Sequence, residues 1–377
     1  LKDSFELVSA KNSREKAILV ALRLTDQSEL DVNISLQELR TLLETAGGQS
    51  VLEVVQKKDS PDARTYIGTG KAREIARFAK NNSVEAVVFD HELTPSQQRN
   101  LEAILEVKVV DRTALILDIF AQRAHSKEGK LQVELAQLTY LLPRLRGKGI
   151  ELSRLGGGIG TRGPGETKLE VDRRRIRARL SHLKKELKKV TLQHEIQAKK
   201  RLKRNVFNVS LVGYTNAGKS TLLNVLTKSD VFVEDKLFAT LDSTRRRMYS
   251  PNKTTIILSD TVGFIQKLPH QLIAAFHSTL SEVLQADLLV HVIDVSSSYL
   301  DVQIEAVEKT LEEIGAGQKP RLAVYNKIDL INSHQLNYFK RNHPEAIFTS
   351  ALAGIGLSKL RQAIQEKAFE KKVFARK

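Results

Sequence analysis

The chain has 377 residues, of which 41% are hydrophobic and 28% charged; 60 Lys and Arg stand against 44 Asp and Glu, a formal charge of +16. This is the composition of a soluble globular protein of two or three folded units, and it excludes wholesale disorder, collagen-like repeats and a membrane-embedded body. With 0 Cys, disulfide scaffolds, Cys-ligated zinc, iron–sulfur clusters and a cysteine nucleophile are also excluded, and a reducing, cytoplasmic setting is expected. A surface this basic calls for an acidic partner, either nucleic acid or, at the periphery of a membrane, anionic lipid. No apolar run approaches the ~20 residues of a spanning helix, since even Leu288 to Val295 is interrupted by His291 and Asp294. The start at Leu1 has neither a basic n-region nor an apolar core, so no secretory signal is expected, and the missing Met suggests a preceding segment.

From Ala17 to Ala124 short β-rich runs alternate with helical ones. Strands are expected at 17–24, 51–55, 84–90 and 107–110, and helices at 35–45, 70–80, 94–106 and 111–124. Alternation of this kind predicts parallel strands with right-handed crossovers, hence an α/β domain over 1–125. Within it Tyr66-Ile67-Gly68-Thr69-Gly70-Lys71 places a glycine-lysine turn at the start of a helix. It lacks the full phosphate-loop spacing, and a structural or RNA-contact role is the plainer reading.

Residues 126–204 have a different character. Leu131, Leu135, Leu138 and Leu142, and then Ile176, Leu180, Leu183, Leu187 and Val190, step by threes and fours. Two such seams predict an antiparallel helical hairpin. Between them, residues 146–165 hold eight glycines, with Arg146, Lys148, Arg154 and Arg162 interspersed; a loop of that length usually serves a function or is disordered. From Glu166 to Arg204 there are fifteen Lys and Arg against five Asp and Glu, a net of +10 out of +16. A solvated helix face would carry both signs more evenly. The excess predicts a phosphate-rich partner, and the scarcity of aromatics favours folded RNA over stacked single strands.

From Val206 a strand runs into Gly213-Tyr214-Thr215-Asn216-Ala217-Gly218-Lys219-Ser220-Thr221 and then an apolar helix, the G-x-x-x-x-G-K-S phosphate loop in its required setting. Its backbone amides cradle phosphates, Lys219 supplies a point charge, and the Ser220 hydroxyl is the expected Mg²⁺ ligand. Asp260-Thr261-Val262-Gly263 ends a second strand, where Asp260 orders the Mg²⁺ shell through water and the Gly263 amide meets the γ-phosphate. Asn326-Lys327-Ile328-Asp329 ends a third. The Asp329 carboxylate can accept from N1–H and the exocyclic amine of guanine, which adenine cannot offer, so GTP and GDP are the expected ligands. Thr349-Ser350-Ala351 fits the loop that donates backbone N–H to the guanine oxygen. Val231 to Arg247 shows no strong helix or strand period and is the expected switch, with Thr240 as second Mg²⁺ ligand and Thr244 as competitor. Lys219, Thr240 and Gly263 are therefore the expected catalytic groups. Phe264 follows Gly263, where many GTPases carry a water-orienting glutamine, so slow unassisted hydrolysis is expected. The nine histidines show no metal spacing such as H-E-x-x-H.

The run Gly156 to Ile176, with Gly213 to Ser220, Phe238-Ala239-Thr240-Leu241 and Asp260 to Phe264, resembles the HflX family of ribosome-associated GTPases over nearly the whole chain. The resemblance implies a P-loop GTPase domain over 205–377, binding to rRNA of the large ribosomal subunit, and GTP-dependent splitting or rescue of stalled ribosomes. Matched by motif, Gly213, Asn216, Gly218, Lys219, Ser220 and Thr221 fall on the phosphate loop, Thr240 on switch I, Asp260 and Gly263 on switch II, and Asn326, Lys327, Asp329 and Ser350 on the base site. Tyr214, Thr215, Ala217 and Ala351 complete the expected nucleotide contacts. Asn216 resembles the asparagine of GTPases that use K⁺. Ser243 departs from the proline common in the family, and some relatives continue into a further C-terminal domain. A monomer is expected. Two other readings stay open: an ATP-dependent RNA remodeller with a second nucleotide site at Gly68 to Lys71, and a GTP-dependent rRNA-binding module without remodelling activity.

Overall fold

The structure is a computed structural model in which residues 14–145, 168–202, 206–229, 237–241, 244–250, 255–267, 269 and 282–374 are described. The Gly-rich stretch 146–165 and Ser243 lie outside them. The chain divides into two compact units, one formed by residues up to 122 with 130–187, the other by 123–129 with residues from 188 on.

In the first unit four parallel strands, β1 (Lys16–Arg23), β2 (Gln49–Lys57), β3 (Ala86–Phe89) and β4 (Lys108–Asp111), stand in the order β2-β1-β3-β4. They alternate with α1 (Glu29–Thr45), α2 (Thr69–Asn81), α3 (Pro95–Leu105) and α4 (Arg112–Arg123). α1 begins six residues earlier than its hydrophobic period predicts, because Ser28 and Asp31 form a reciprocal capping box that satisfies the first amides. The core is aliphatic, with Ile18, Val20, Val87, Ile67 and Leu101 all buried. At the carboxyl ends of β3 and β4 a buried Arg112 guanidinium donates to Asp90 at 2.9 Å and Glu38 at 2.7 Å, and the Ser35 hydroxyl donates to Asp90. The Tyr66–Lys71 turn is used structurally: Tyr66 and Ile67 plug the core, the Gly68 amide donates to the Gln56 side chain, and Lys71 pairs with Glu74 at 2.6 Å.

α5 (Lys127–Arg144) and the 35-residue α6 (Lys168–Leu202) follow. The seam expected on α6 is observed in part, with Ile176 and Leu183 buried. On α5 the buried apolar side chains are Val133, Ala136 and Tyr140, while Leu131, Leu135, Leu138 and Leu142 are only half-buried. The reason is that α5 has two duties. Arg144 stacks on Tyr140 and reaches the Leu93 carbonyl and Asp111, while Glu134 takes a bidentate pair from Arg179 of α6 at 2.6 and 2.7 Å. No helix among the described residues is long and apolar enough to cross a membrane.

The second unit holds a six-stranded sheet ordered β10-β9-β8-β5-β7-β6, made of β5 (Val206–Gly213), β6 (Thr244–Met248), β7 (Thr255–Asp260), β8 (Leu288–Asp294), β9 (Arg321–Asn326) and β10 (Ile347–Phe348). The strands are parallel except β6, which pairs antiparallel with β7 and places Thr244 opposite Asp260. The sequence missed this edge strand because Arg245-Arg246-Arg247 gives it no apolar face. Among the described residues, α7 (Lys219–Thr227), α8 (Leu300–Glu313), α9 (Ser333–Asn342) and α10 (Leu357–Phe374) belong to the same unit, whose core includes Val209, Leu222, Ile256, Val290 and Leu360.

His291 sits on β8, buried, between Val212 and Ala323. Burial pushes its imidazole down to about 4, and the charges of Arg321 and Lys219 add to the effect. The unfolded chain, with histidine near 6.5, takes up this proton first. The neutral side chain's contribution is thus fully present above pH 6.5 and lost as pH falls towards 4. At pH 5 the loss is about 2 kcal/mol by linkage. His291→Gln is expected to flatten the fall in melting temperature of the full chain between pH 7 and 5, measured by calorimetry. Parallel curves for variant and wild type would contradict this.

Candidate functional site

Three strand ends converge at the carboxyl edge of the second sheet. β5 ends at Gly213, whose added Cβ would lie 2.2 Å from the Val292 carbonyl oxygen, so no side chain fits there. The loop that follows turns through Asn216 and Gly218, both left-handed at φ of 62° and 92°, into the amino end of α7. The loop is fixed from the other side by the segment after β7: the Thr215 amide donates to the Phe264 carbonyl at 2.8 Å and the Phe264 amide to the Gly213 carbonyl at 3.1 Å. The Tyr214 hydroxyl also accepts from the Gln266 amide at 3.0 Å.

Around this loop lies a cleft of about 430 Å³, counting its open mouth, lined by Asn216, Gly218, Lys219, Ser220, Thr240 and Gly263 among others. The Lys219 ammonium is buried and donates to the carbonyls of Gly213 at 3.1 Å and Tyr214 at 2.8 Å. Burial lowers it to about 8, against the pull of Asp260. Burial likewise raises the Asp260 carboxyl, against the charge of Lys219. The Ser220 hydroxyl stands 2.7 Å from that of Thr240 and 2.5 Å from Asp260 Oδ2, and Asp260 Oδ1 is buried with no hydrogen-bond partner. Two hydroxyls and an under-satisfied carboxylate are a hard-oxygen set that fits a small divalent cation. Of the two candidate threonines, Thr240 is the one beside Ser220, whereas Thr244 lies in β6. Asn216 is exposed at the mouth, Ala217 is buried, and Thr221 lies in the first turn of α7.

The β9 end forms the second half of the site. Asn326 is 1% exposed; its amide donates to the Ala217 carbonyl at 3.0 Å, and its Oδ1 accepts from Thr349 Oγ1 and the Ala351 amide, both at 3.1 Å. One side chain thus ties the phosphate loop to the loop after β10, a role the motif spacing did not reveal. Lys327, at φ of 63°, pairs with Asp294 at 2.7 Å, and Asp329 lies exposed on the 3₁₀ turn Ile328–Leu330. Ser350 is buried, its amide donating to the Ile355 carbonyl and its hydroxyl accepting from the Ala353 amide. The Ser350 and Ala351 amides, expected to face a base, are therefore both engaged within the protein.

Known proteins with this arrangement identify the lineage. Residues 33–121 match the family described as GTP-binding GTPase N-terminal, 123–201 its middle region, and 208–327 the 50S ribosome-binding GTPase family. The GTPase HflX of Caldanaerobacter subterraneus is 52% identical over 357 residues, 95% of this chain and 81% of the relative. The chain belongs to the HflX family of GTPases. The HflX of Escherichia coli K12 is 46% identical over 94% of this chain and 83% of its own length. Among solved structures, SsGBP in complex with GDP is similar over 94% of this chain and 99% of that one, at 29% identity and a TM-score of 0.50. As an HflX-family member the chain is a GTPase, with a parallel α/β unit before its P-loop unit.

Proposed function

We propose that the chain hydrolyses GTP on the large ribosomal subunit and uses the cycle to split or rescue stalled ribosomes, holding rRNA through α6 and the adjoining glycine-rich stretch. The observation that carries this reading is the convergence of the loop Gly213 to Thr221, the Thr240 hydroxyl and the turn Asn326 to Asp329 at one end of the sheet, in a chain whose α6 segment holds most of the net charge. In this reading the loop from Gly213 to Thr221 holds the phosphates, and Asn326, Lys327 and Asp329 form the guanine site, with Ser350 and Ala351 fixing the adjoining loop through their amide hydrogen bonds to Ile355 and Asn326. Mg²⁺ would be held by Ser220 and Thr240, and by Asp260 through water, and when bound it neutralises charge on the phosphate oxygens. Asn216, exposed at the mouth, would be the residue beside a monovalent cation such as K⁺. Gly263 brings its amide to the γ-phosphate side of the cleft, where a Cβ would collide with Thr215 and crowd Lys219.

On α6, Arg174, Arg175 and Arg177 are exposed, and Asp172 approaches Arg175 only at 4.0 Å. Such a pair is worth little in water, which supports an outside polyanion. Neutralising Arg173, Arg174 and Arg175 together is expected to weaken co-sedimentation with large subunits and to flatten its salt dependence. The slope should fall by about 0.7 to 0.9 for each phosphate that no longer meets a cation, while affinity for GTP stays unchanged. Normal association of this variant at every salt concentration would leave α6 as a spacer and remove the proposal's footing.

A further inference from the structure

Most polar side chains around the phosphate cleft are committed within the protein. Lys219 is held by two carbonyls, Ser220 by Thr240 and Asp260, and the Thr261 hydroxyl by the Leu211 carbonyl at 2.7 Å. Thr215 differs. It lines the cleft and is only 6% exposed, yet its hydroxyl is buried with no hydrogen-bond partner. A buried hydroxyl left unpaired is costly, and native structures keep one where something else supplies the partner.

Its place is set by the backbone. The paired bonds between Thr215 and Phe264 and between Phe264 and Gly213 press Thr215 onto Gly263, at which an added Cβ would lie 2.8 Å from both Cα and Cγ2 of Thr215 and 3.1 Å from Lys219 Nζ. Thr215 thus stands where phosphate loop, switch II glycine and the lysine ammonium meet. Phe264, next along the chain, is 2% exposed, with its amide and carbonyl both used in that pairing. An apolar ring turned into the core cannot orient water.

We propose that the Thr215 hydroxyl turns to the cleft when GTP binds and takes over this orienting role, accepting a hydrogen bond from the attacking water and donating one to a γ-phosphoryl oxygen. The inference rests on the assignment of the cleft to the phosphates of GTP made above. In the step it serves, the water oxygen bonds to the γ-phosphorus as the bond to the bridging β–γ oxygen breaks. The electron pair leaves with GDP, the water proton ends on the phosphate product, and Thr215 keeps its own. One donor and two acceptor sites let a single hydroxyl make both contacts. The contacts exist only with the γ-phosphate present, so they act on turnover and not on GDP affinity.

The test compares Thr215→Val, which keeps the shape, with Thr215→Ser, which keeps the hydroxyl, in the full chain. Single-turnover hydrolysis at saturating GTP is measured with and without large subunits, and GDP affinity with a fluorescent analogue. Thr215→Val is expected to slow hydrolysis at least about 10-fold, below the 10²–10³ typical of losing a fixed oxyanion donor, with GDP affinity within about twofold of wild type. Thr215→Ser should recover most of the rate. Hydrolysis by Thr215→Val at the wild-type rate, or equal slowing in both variants, would overturn the inference. Lys219→Ala runs alongside: if it binds nucleotide normally, the assignment of the cleft fails, whereas a silent Thr215→Val beside a crippled Lys219→Ala removes only the role of Thr215.

Discussion

Replacing Lys219 by alanine is expected to weaken binding of GTP and GDP at least about a hundredfold, with the larger loss for GTP. The ammonium is buried and its hydrogen bonds go to backbone carbonyls alone, with Asp260 the anion that opposes its loss of charge. Burial has already stripped water from this charge, as its shift down to about 8 records. A phosphate arriving there gains charge-assisted hydrogen bonds without a further desolvation cost on the protein side. Each such bond is worth about 1.5–3 kcal/mol, so the third N–H together with the one that leaves the Gly213 carbonyl accounts for about two to four decades of affinity. Arginine should not substitute: a Cβ on Gly263 would already lie 3.1 Å from Lys219 Nζ, so a planar guanidinium has no room. Fluorescent-nucleotide titration of the full chain checks both variants. Affinity within threefold of wild type for Lys219→Ala would show that the buried lysine does not meet phosphate.

The parallel sheets and the three motif-bearing strand ends are legible in the sequence because each rests on a local pattern: an apolar run, then glycine or an Asx turn, then a helix. What the sequence hides are features decided by tertiary partners. The buried face of α5 depends on Arg144 reaching Asp111 and Leu93, which no periodicity encodes. β6 carries three consecutive arginines and is a strand only because β7 offers it an edge. The near-universal spacing of the phosphate loop says nothing of Thr215, whose significance is an unpaired hydroxyl and therefore visible only once neighbours are in place. The expectation that the Ser350 and Ala351 amides face the base also comes from motif order, while the structure engages them with Ile355 and Asn326. The nearness of Thr240 to Ser220 is the same kind of fact, a contact of 2.7 Å across twenty residues of chain.

Asn326 is where stability and nucleotide binding are joined most tightly. Its side chain bonds to Ala217, 109 residues away in sequence, and to Thr349 and Ala351 on the far loop, all in a buried setting. Asn326→Ala removes one donor and one acceptor and strands the Ala217 carbonyl, the Thr349 hydroxyl and the Ala351 amide. Each buried group left unpaired costs about 1–3 kcal/mol, so a total of at least about 3 kcal/mol is expected. For a unit of this size that corresponds to a fall of about 6–12 °C in its melting temperature. Asn326→Asp keeps the acceptor but sets a carboxylate against the Ala217 carbonyl, so it should not rescue the loss. Gly218→Ala attacks the same bond from the opposite side, because its Cβ would lie 2.4 Å from Asn326 Nδ2 at a φ of 92° that L-residues rarely adopt. If one hydrogen bond carries the coupling, combining Gly218→Ala with Asn326→Ala should cost less than the sum of the two, since the second change finds the bond already broken. Calorimetry of the full chain, read at the GTPase transition, measures all four variants. Additive single effects would place the two residues in separate roles, and an Asn326→Ala protein melting within 2 °C of wild type would show that the three loops hold together without it.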